Sequence, residues 1–147
     1  MQIALNGRAA LITGGSKGLG LAMAKAFAEA GGHVAIVARG AESLAEAEST
    51  IREAAPTAKV VAIAADIRTP EGCEQAHQGA VRALGQVDIL VNNAGTSQRG
   101  PFLEVTDALW QDDLDLKLFA AIRLCRHVLP GMRDRTWGRI INVLNIG

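Results

Sequence analysis

The stretch that decides the fold is Thr13-Gly14-Gly15-Ser16-Lys17-Gly18-Leu19-Gly20. Before it lies a short apolar run, RAALIT at 8–13, which reads as a strand. After it, Leu19, Ala22, Met23, Ala26, Phe27 and Ala30 recur at helical spacing and predict an amphipathic helix packed through that face. Strand, glycine loop and helix in this order make an anion cradle. Gly14 can take the tight turn, Gly18 can admit a pyrophosphate close to the backbone, and Gly20 can let the helix pack against the strand. The free N–H groups of the first helical turn point at the anion. From Gly14 the spacing is GxxxGxG, not the commoner GxGxxG. Lys17 is followed by Gly18, so the segment is not a nucleoside-triphosphate P-loop. The alternative is a set of glycines that serve a tight turn alone.

The chain on either side repeats the same alternation. Gly31 and Gly32 stop the first helix, since glycine takes the left-handed position that ends helices. HVAIVAR at 33–39 is an unbroken apolar strand, as burial on both faces of a parallel sheet requires. Leu44, Ala47 and Ile51 mark a second helix that ends before Pro56. KVVAIAAD at 59–66 is a third strand. Thr69-Pro70-Glu71 supplies an N-cap, a pre-set first helical residue and an early acid. Cys73, Ala76, Ala80 and Leu84 carry that helix to Gly85, and VDILVNN at 87–93 is the fourth strand.

The pattern next predicts one long helix over 107–129, with Thr106 as its cap. Leu114, Leu118, Ile122, Cys125 and Leu129 line one face, with Leu116, Phe119 and Leu124 outside that stripe. So wide an apolar arc is expected to meet both the sheet and a partner subunit, giving a homo-oligomer through helix 107–129. Burial against this chain alone, or surface scatter, is the alternative. GRIINVLNIG at 138–147 is a fifth strand. Strands joined by helical crossovers are parallel with right-handed connections. The expected fold is α/β: a Rossmann-like doubly wound parallel sheet in three αβα layers. One dinucleotide-binding domain covers 1–147.

Composition narrows the partners. A chain of 147 residues is one domain's worth and can bury roughly 70% of its unfolded surface. Lys plus Arg and Asp plus Glu number 15 each, so zero net charge gives no reason to expect nucleic acid or an anionic membrane. Two tryptophans, three phenylalanines and no tyrosine make a base-stacking platform unsuited to this chain. Cys73 and Cys125 lack metal or redox spacing, and both are expected as buried thiols; no metal site is expected. There is no secretory-type start and no apolar run of about eighteen residues, so the expected compartment is the cytoplasm. Arg133, Arg135 and Arg139 are expected to solvate a helix end and a loop.

The ribose end of the site is read from the second strand. An NAD site places an acid there to accept from the ribose 2′-OH. Residues 33–38 hold no acid, and the strand ends Ala38-Arg39. A guanidinium fits a 2′-phosphate bidentately, and Lys17 can approach the same phosphate. The expected cofactor is therefore NADP(H), preferred over NAD(H). Solvent-exposed loop tips are the other reading of Lys17 and Arg39. Asp66 ends the third strand, where it can accept from an adenine amino group or cap the following turn. Asn92 and Asn93 end the fourth strand. With Ala94 and Gly95 they can leave room for a flat ring or ribose, or tie neighbouring strand ends together.

Taken together, TGGSKGLG (13–20), AR (38–39), AD (65–66), NNAG (92–95), LPGM (129–132) and GRIINV (138–143) resemble the short-chain dehydrogenase/reductase family along the whole chain. The resemblance implies a Rossmann fold and hydride transfer between a nicotinamide cofactor and a carbonyl or alcohol substrate. It also implies dimers or tetramers, with the long helix in the subunit interface. It assigns cofactor binding to Thr13, Gly14, Ser16, Lys17, Gly18, Leu19 and Gly20 in the loop. To these it adds Arg39, Asp66, Ile67, Asn93, Ala94 and Gly95.

The catalytic part departs from the family. The helix asparagine that helps hold a proton-relay water falls here on Lys117. The substrate-orienting serine after the fifth strand falls on Asn145. The family's tyrosine and lysine pair would come later, and the chain has no tyrosine. Carbonyl reduction needs a proton donor at the oxygen besides the hydride. His33, His77 and His127 do not fall at strand carboxyl ends and are expected as ordinary surface or core residues. The expectation is a truncated, cofactor-binding part of a reductase, inactive alone. A catalytically silent dinucleotide-binding or scaffold relative is the second reading.

Overall fold

The computed structural model describes residues 3–96 and 100–144. Strands β1 (Ala9–Thr13), β2 (His33–Ala38), β3 (Val60–Ala64), β4 (Ile89–Asn92) and β5 (Arg139–Asn142) form one sheet. Its order is β3-β2-β1-β4-β5 and every pairing is parallel. Helices α1 (Gly18–Glu29), α2 (Ala41–Ala54) and α3 (Pro70–Leu84) connect the first four strands. Between β4 and β5 run α4 (Asp107–Leu114), a π turn (Asp115–Phe119) and α5 (Ala120–Asp134). The Rossmann-like three-layer fold read from the sequence is the fold observed.

The core divides by the alternation of strand side chains. Ala10 and Ile12 of β1 pack with Ala24 and Ala28 of α1 and Leu44, Ala47 and Ile51 of α2. Leu11, between them, packs in the other layer with Cys73, Ala76 and Ala80 of α3 and Leu124 and Val128 of α5. Leu11, Ile12, Ile36 and Leu90 are fully buried. Each contributes about 1.5–3 kcal/mol relative to exposure. The strand order reverses beside β1, and the crevice outside the strand carboxyl ends at that point is where such sheets bind ligands.

Four expectations need correction. The fully buried residues of α1 are Gly20, Ala24 and Ala28; of the expected series Met23 and Phe27 are half-buried against the core, and Leu19 is 59% exposed. Close helix–sheet approach selects small residues, which leave little periodic signal. The helix expected over 107–129 is α4, π turn and α5, and α5 runs through Pro130 to Asp134. Pro130 is exposed, while Ala120, Leu124, Val128 and Met132 bury α5 against the sheet. Of the expected stripe Leu114, Leu118 and Leu129 are exposed, while Ile122 and Cys125 are half-buried and Cys125 packs against the core. Cys125 is half-buried, unlike the fully buried Cys73. Arg135 is no solvated tip: its Nη2 donates to the Val87 carbonyl at 2.8 Å, and its Nε lies 3.5 Å from buried Asp88.

Candidate cofactor site

The loop after β1 is built by contact. Gly14 has φ +64°, and a Cβ there would lie 3.0 Å from both the Ala94 Cα and the Asn93 Nδ2. A Cβ on Gly20 would run into the Gly14 carbonyl and sit 2.6 Å from Asn93 Nδ2. These two glycines let α1 and β4 close on the turn. Gly18, with φ +52°, has nothing within 4 Å of a Cβ position, so the side of the turn at the start of α1 is open. Lys17 is the extended N-cap residue, makes no side-chain cap bond and is exposed; Ser16 beside it is half-buried. This open turn against a helix N-terminus fits a pyrophosphate.

Thr13 and Asn93 hold the loop from behind. The Thr13 hydroxyl donates to the Val91 carbonyl at 3.3 Å and accepts from the Asn93 and Ala94 N–H groups, both at 3.0 Å. Asn93 Nδ2 donates to the carbonyls of Thr13 (3.1 Å) and Gly14 (3.4 Å). Asn92 Nδ2 donates to Asn142 Oδ1 at 2.9 Å, joining the ends of β4 and β5. Of the two readings of the asparagine pair, tying of strand ends is directly visible.

These contacts frame a cleft of about 140 Å³ at the strand carboxyl ends. Gly14, Arg39, Asp66, Ile67, Ala94 and Gly95, all singled out from the sequence, line it. Ala38 and Ala65 of the AR and AD motifs line it too, with Val37, Thr96 and Leu116, which the sequence reading does not assign to the site. Register was the available signal for Val37, which pairs with Thr13. Arg39 is exposed and its charge reaches Asp66.

Asp66 does cap the turn after it. Its Oδ1 accepts from the Arg68 N–H at 3.1 Å, and its own carbonyl accepts from Thr69 Oγ1 at 3.0 Å. The Arg68 guanidinium also grips its carboxylate, with Nη2 to Oδ2 at 2.7 Å and Nε to Oδ1 at 3.0 Å. That hydrogen bonding holds the Asp66 carboxyl below the usual carboxylate range, against the opposing effect of partial burial. Sequence spacing gave no sign of Arg68.

Lys117 lies on the π turn, and its Cε is 3.7 Å from the Cβ position of Gly95, so it borders the cleft. Its Nζ is 2.9 Å from Asp113 Oδ1. Single π turns inside helices are frequent at functional sites. Asn145, the other expected catalytic position, lies outside the described residues. The histidines do not line the cleft. His77 and His127 stack with ring centroids 5.3 Å apart, and burial, then the neighbouring ring, lowers the His77 pKa. The Cys73 thiol donates to the Ile67 carbonyl, and burial pushes its pKa up to about 11. Among the described residues no helix is long and apolar enough to cross a membrane.

Comparison with known proteins agrees with this geometry. The family model described as short chain dehydrogenase matches residues 8–146. The fatty acyl-CoA reductase of Acinetobacter baylyi is 37% identical over 145 residues, covering 97% of this chain and 48% of the relative. The D-beta-hydroxybutyrate dehydrogenase of Cupriavidus necator is 36% identical over 139 residues, covering 95% and 53%. L-Sorbose reductase from Gluconobacter frateurii, solved with NADPH and L-sorbose, superposes with a TM-score of 0.90 at 41% identity, covering 95% and 53%. A metagenomic short-chain oxidoreductase solved with NADP gives 0.89 at 30% identity, covering 97% and 64%. The chain thus spans about half the length of the curated relatives it matches.

Proposed function

The chain belongs to the short-chain dehydrogenase family, and from that premise we propose that it forms the NADP(H)-binding part of an oxidoreductase acting on a carbonyl or alcohol. The bound nicotinamide supplies or accepts the hydride. The loop at 13–20 takes the pyrophosphate, and Asp66 with Ile67 borders the adenine. Arg39, with Lys17, takes the 2′-phosphate. The observation that carries the NADP(H) preference is Arg39 at the cleft wall, where an NAD site would hold an acid. The relatives solved with NADPH and NADP support the same choice.

Calorimetric titration tests it. One charge-assisted hydrogen bond is worth roughly 1.5–3 kcal/mol, so NADPH should bind about ten- to a hundredfold more tightly than NADH. Arg39→Ala should remove most of that difference and leave NADH affinity unchanged. Equal affinities in the original chain would refute the preference.

Lys117 stands where the family's helix asparagine would, and it is engaged by Asp113. With no tyrosine in the sequence, these 147 residues hold a reductant without an evident proton donor. The 147-residue chain is therefore expected to bind cofactor and show no ketone-dependent NADPH oxidation. The replacement at Lys117, whose ammonium is paired with Asp113, is the observation that favours the second reading, a catalytically silent relative. We also propose self-association through the outward face of α4 and α5. There Leu109, Trp110, Leu114, Leu118, Phe119 and Leu129 are each 38–48% exposed. Several half-exposed apolar side chains on consecutive helical segments suit an interaction surface.

A further inference from the structure

Arg68 joins parts of the site that are far apart in sequence. Its Nη2 and Nε bind the Asp66 carboxylate at the end of the β3 segment. Its Nη1 binds both oxygens of Asp112 on α4, at 2.8 and 3.0 Å. Its carbonyl accepts from Arg123 Nη1 of α5 at 2.9 Å. The next residue after Asp112 is Asp113, which holds Lys117 at the cleft border. The guanidinium has donors in a rigid fork, so it fixes the orientation of both carboxylates at once.

The arrangement leaves Asp66 a defined remaining capacity. A carboxylate has about four lone-pair sites. Oδ1 accepts from the Arg68 N–H and Nε, and Oδ2 accepts from Nη2 with a longer contact to Nε at 3.2 Å. One strong acceptor site on Oδ2 stays open, on a side chain that lines the cleft. The backbone is equally fixed: a Cβ on Gly72 would run into the Asp66 carbonyl. A clamped, ionised carboxylate can only accept. It suits a base that presents an amino group, as adenine does, and rejects one that presents a carbonyl oxygen at the same place.

We propose that Arg68 is a positioning residue that sets base specificity, holding Asp66 as a fixed acceptor for the 6-amino group of the cofactor's adenine. The inference rests on the cofactor reading above. The charged groups around Asp66 are Arg68 on its own turn and Arg39 after β2. Asp112 on α4 and Arg123 on α5 reach it through Arg68, and Cys73 on α3 feels its charge. Arg68 is the strongest of these influences and keeps Asp66 ionised at lower pH than usual.

The test compares binding of NADPH with its hypoxanthine analogue, in which an oxygen replaces the 6-amino group. The original chain should prefer adenine by roughly tenfold or more at pH 7. Arg68→Ala should bring the ratio close to one and move its acid-side decline to higher pH, because Asp66 then protonates more easily. Arg68→Lys, which keeps the charge but loses the fork, should restore only part of the ratio. Asp112→Asn, which leaves the grip on Asp66 in place, should keep it. Thermal melts confirm that each variant is folded. A full adenine preference in folded Arg68→Ala or Arg68→Lys, with that preference lost in Asp66→Asn, overturns the role of Arg68 alone. No base preference in the original chain overturns both this inference and the cofactor reading of Asp66.

Discussion

Thr13→Val tests how the cleft is held open. Thr13 is 1% exposed, and valine keeps its shape and suits a strand. The change removes one oxygen that serves three backbone groups: the Val91 carbonyl and the N–H groups of Asn93 and Ala94. An unsatisfied buried group costs roughly 1–3 kcal/mol. Val91 is fully buried, while Asn93 and Ala94 are half-buried and can recover part of their loss from water. The sum is about 2–4 kcal/mol. Unfolding entropy for 147 residues is about 0.3 kcal/mol/K, so Tm should fall by about 6–13 °C. NADPH affinity should weaken as well, because Ala94 and Gly95 line the cleft and lose their anchor. Differential scanning calorimetry with and without NADPH reads both effects. A Tm within about 2 °C of the original, with unchanged affinity, would refute the role assigned to the hydroxyl.

Four other variants have expected outcomes. Gly20→Ala should destabilise by about 1–3 kcal/mol in urea unfolding, since the new Cβ overlaps the Gly14 carbonyl, and should weaken dinucleotide binding. Leu124→Ala, at a fully buried site, should cost about 2–5 kcal/mol, whereas Leu118→Lys should leave monomer stability within about 0.5 kcal/mol. Sedimentation at rising concentration should show Leu118→Lys shifted toward monomer. Asp66 has a folded pKa below its unfolded value of about 3.9, so its stabilising contribution is present above that pH and is lost as pH falls through the lower value. Urea unfolding from pH 6 to pH 2 should show a shallower acid loss in Asp66→Asn.

Much of this site could be read from the chain alone because its signals are local. Buried parallel strands appear as unbroken apolar runs, as in HVAIVA, and the glycines at 14, 18 and 20 mark a turn that side chains would block or strain. The features that escaped reading were non-local or weakly patterned. The leucines at 114, 118 and 129 are exposed on both sides of the π turn, while the burial of α5 is carried by Ala120, Leu124, Val128 and Met132, two of which are too small or too flexible to stand out in an apolar pattern. Small residues hid the buried face of α1. Arg68 meets Asp112 across 44 positions, a distance at which spacing carries no information.

The most direct test of a phosphate-binding cleft is backbone amide NMR of the chain titrated with 2′,5′-ADP. The expected result is saturable shifts at Gly14, Lys17, Gly18, Arg39 and Asp66, much weaker with 5′-AMP. Shifts absent from the 14–20 loop, or confined to the separate cavity beside Phe102 and Trp110, would contradict the account.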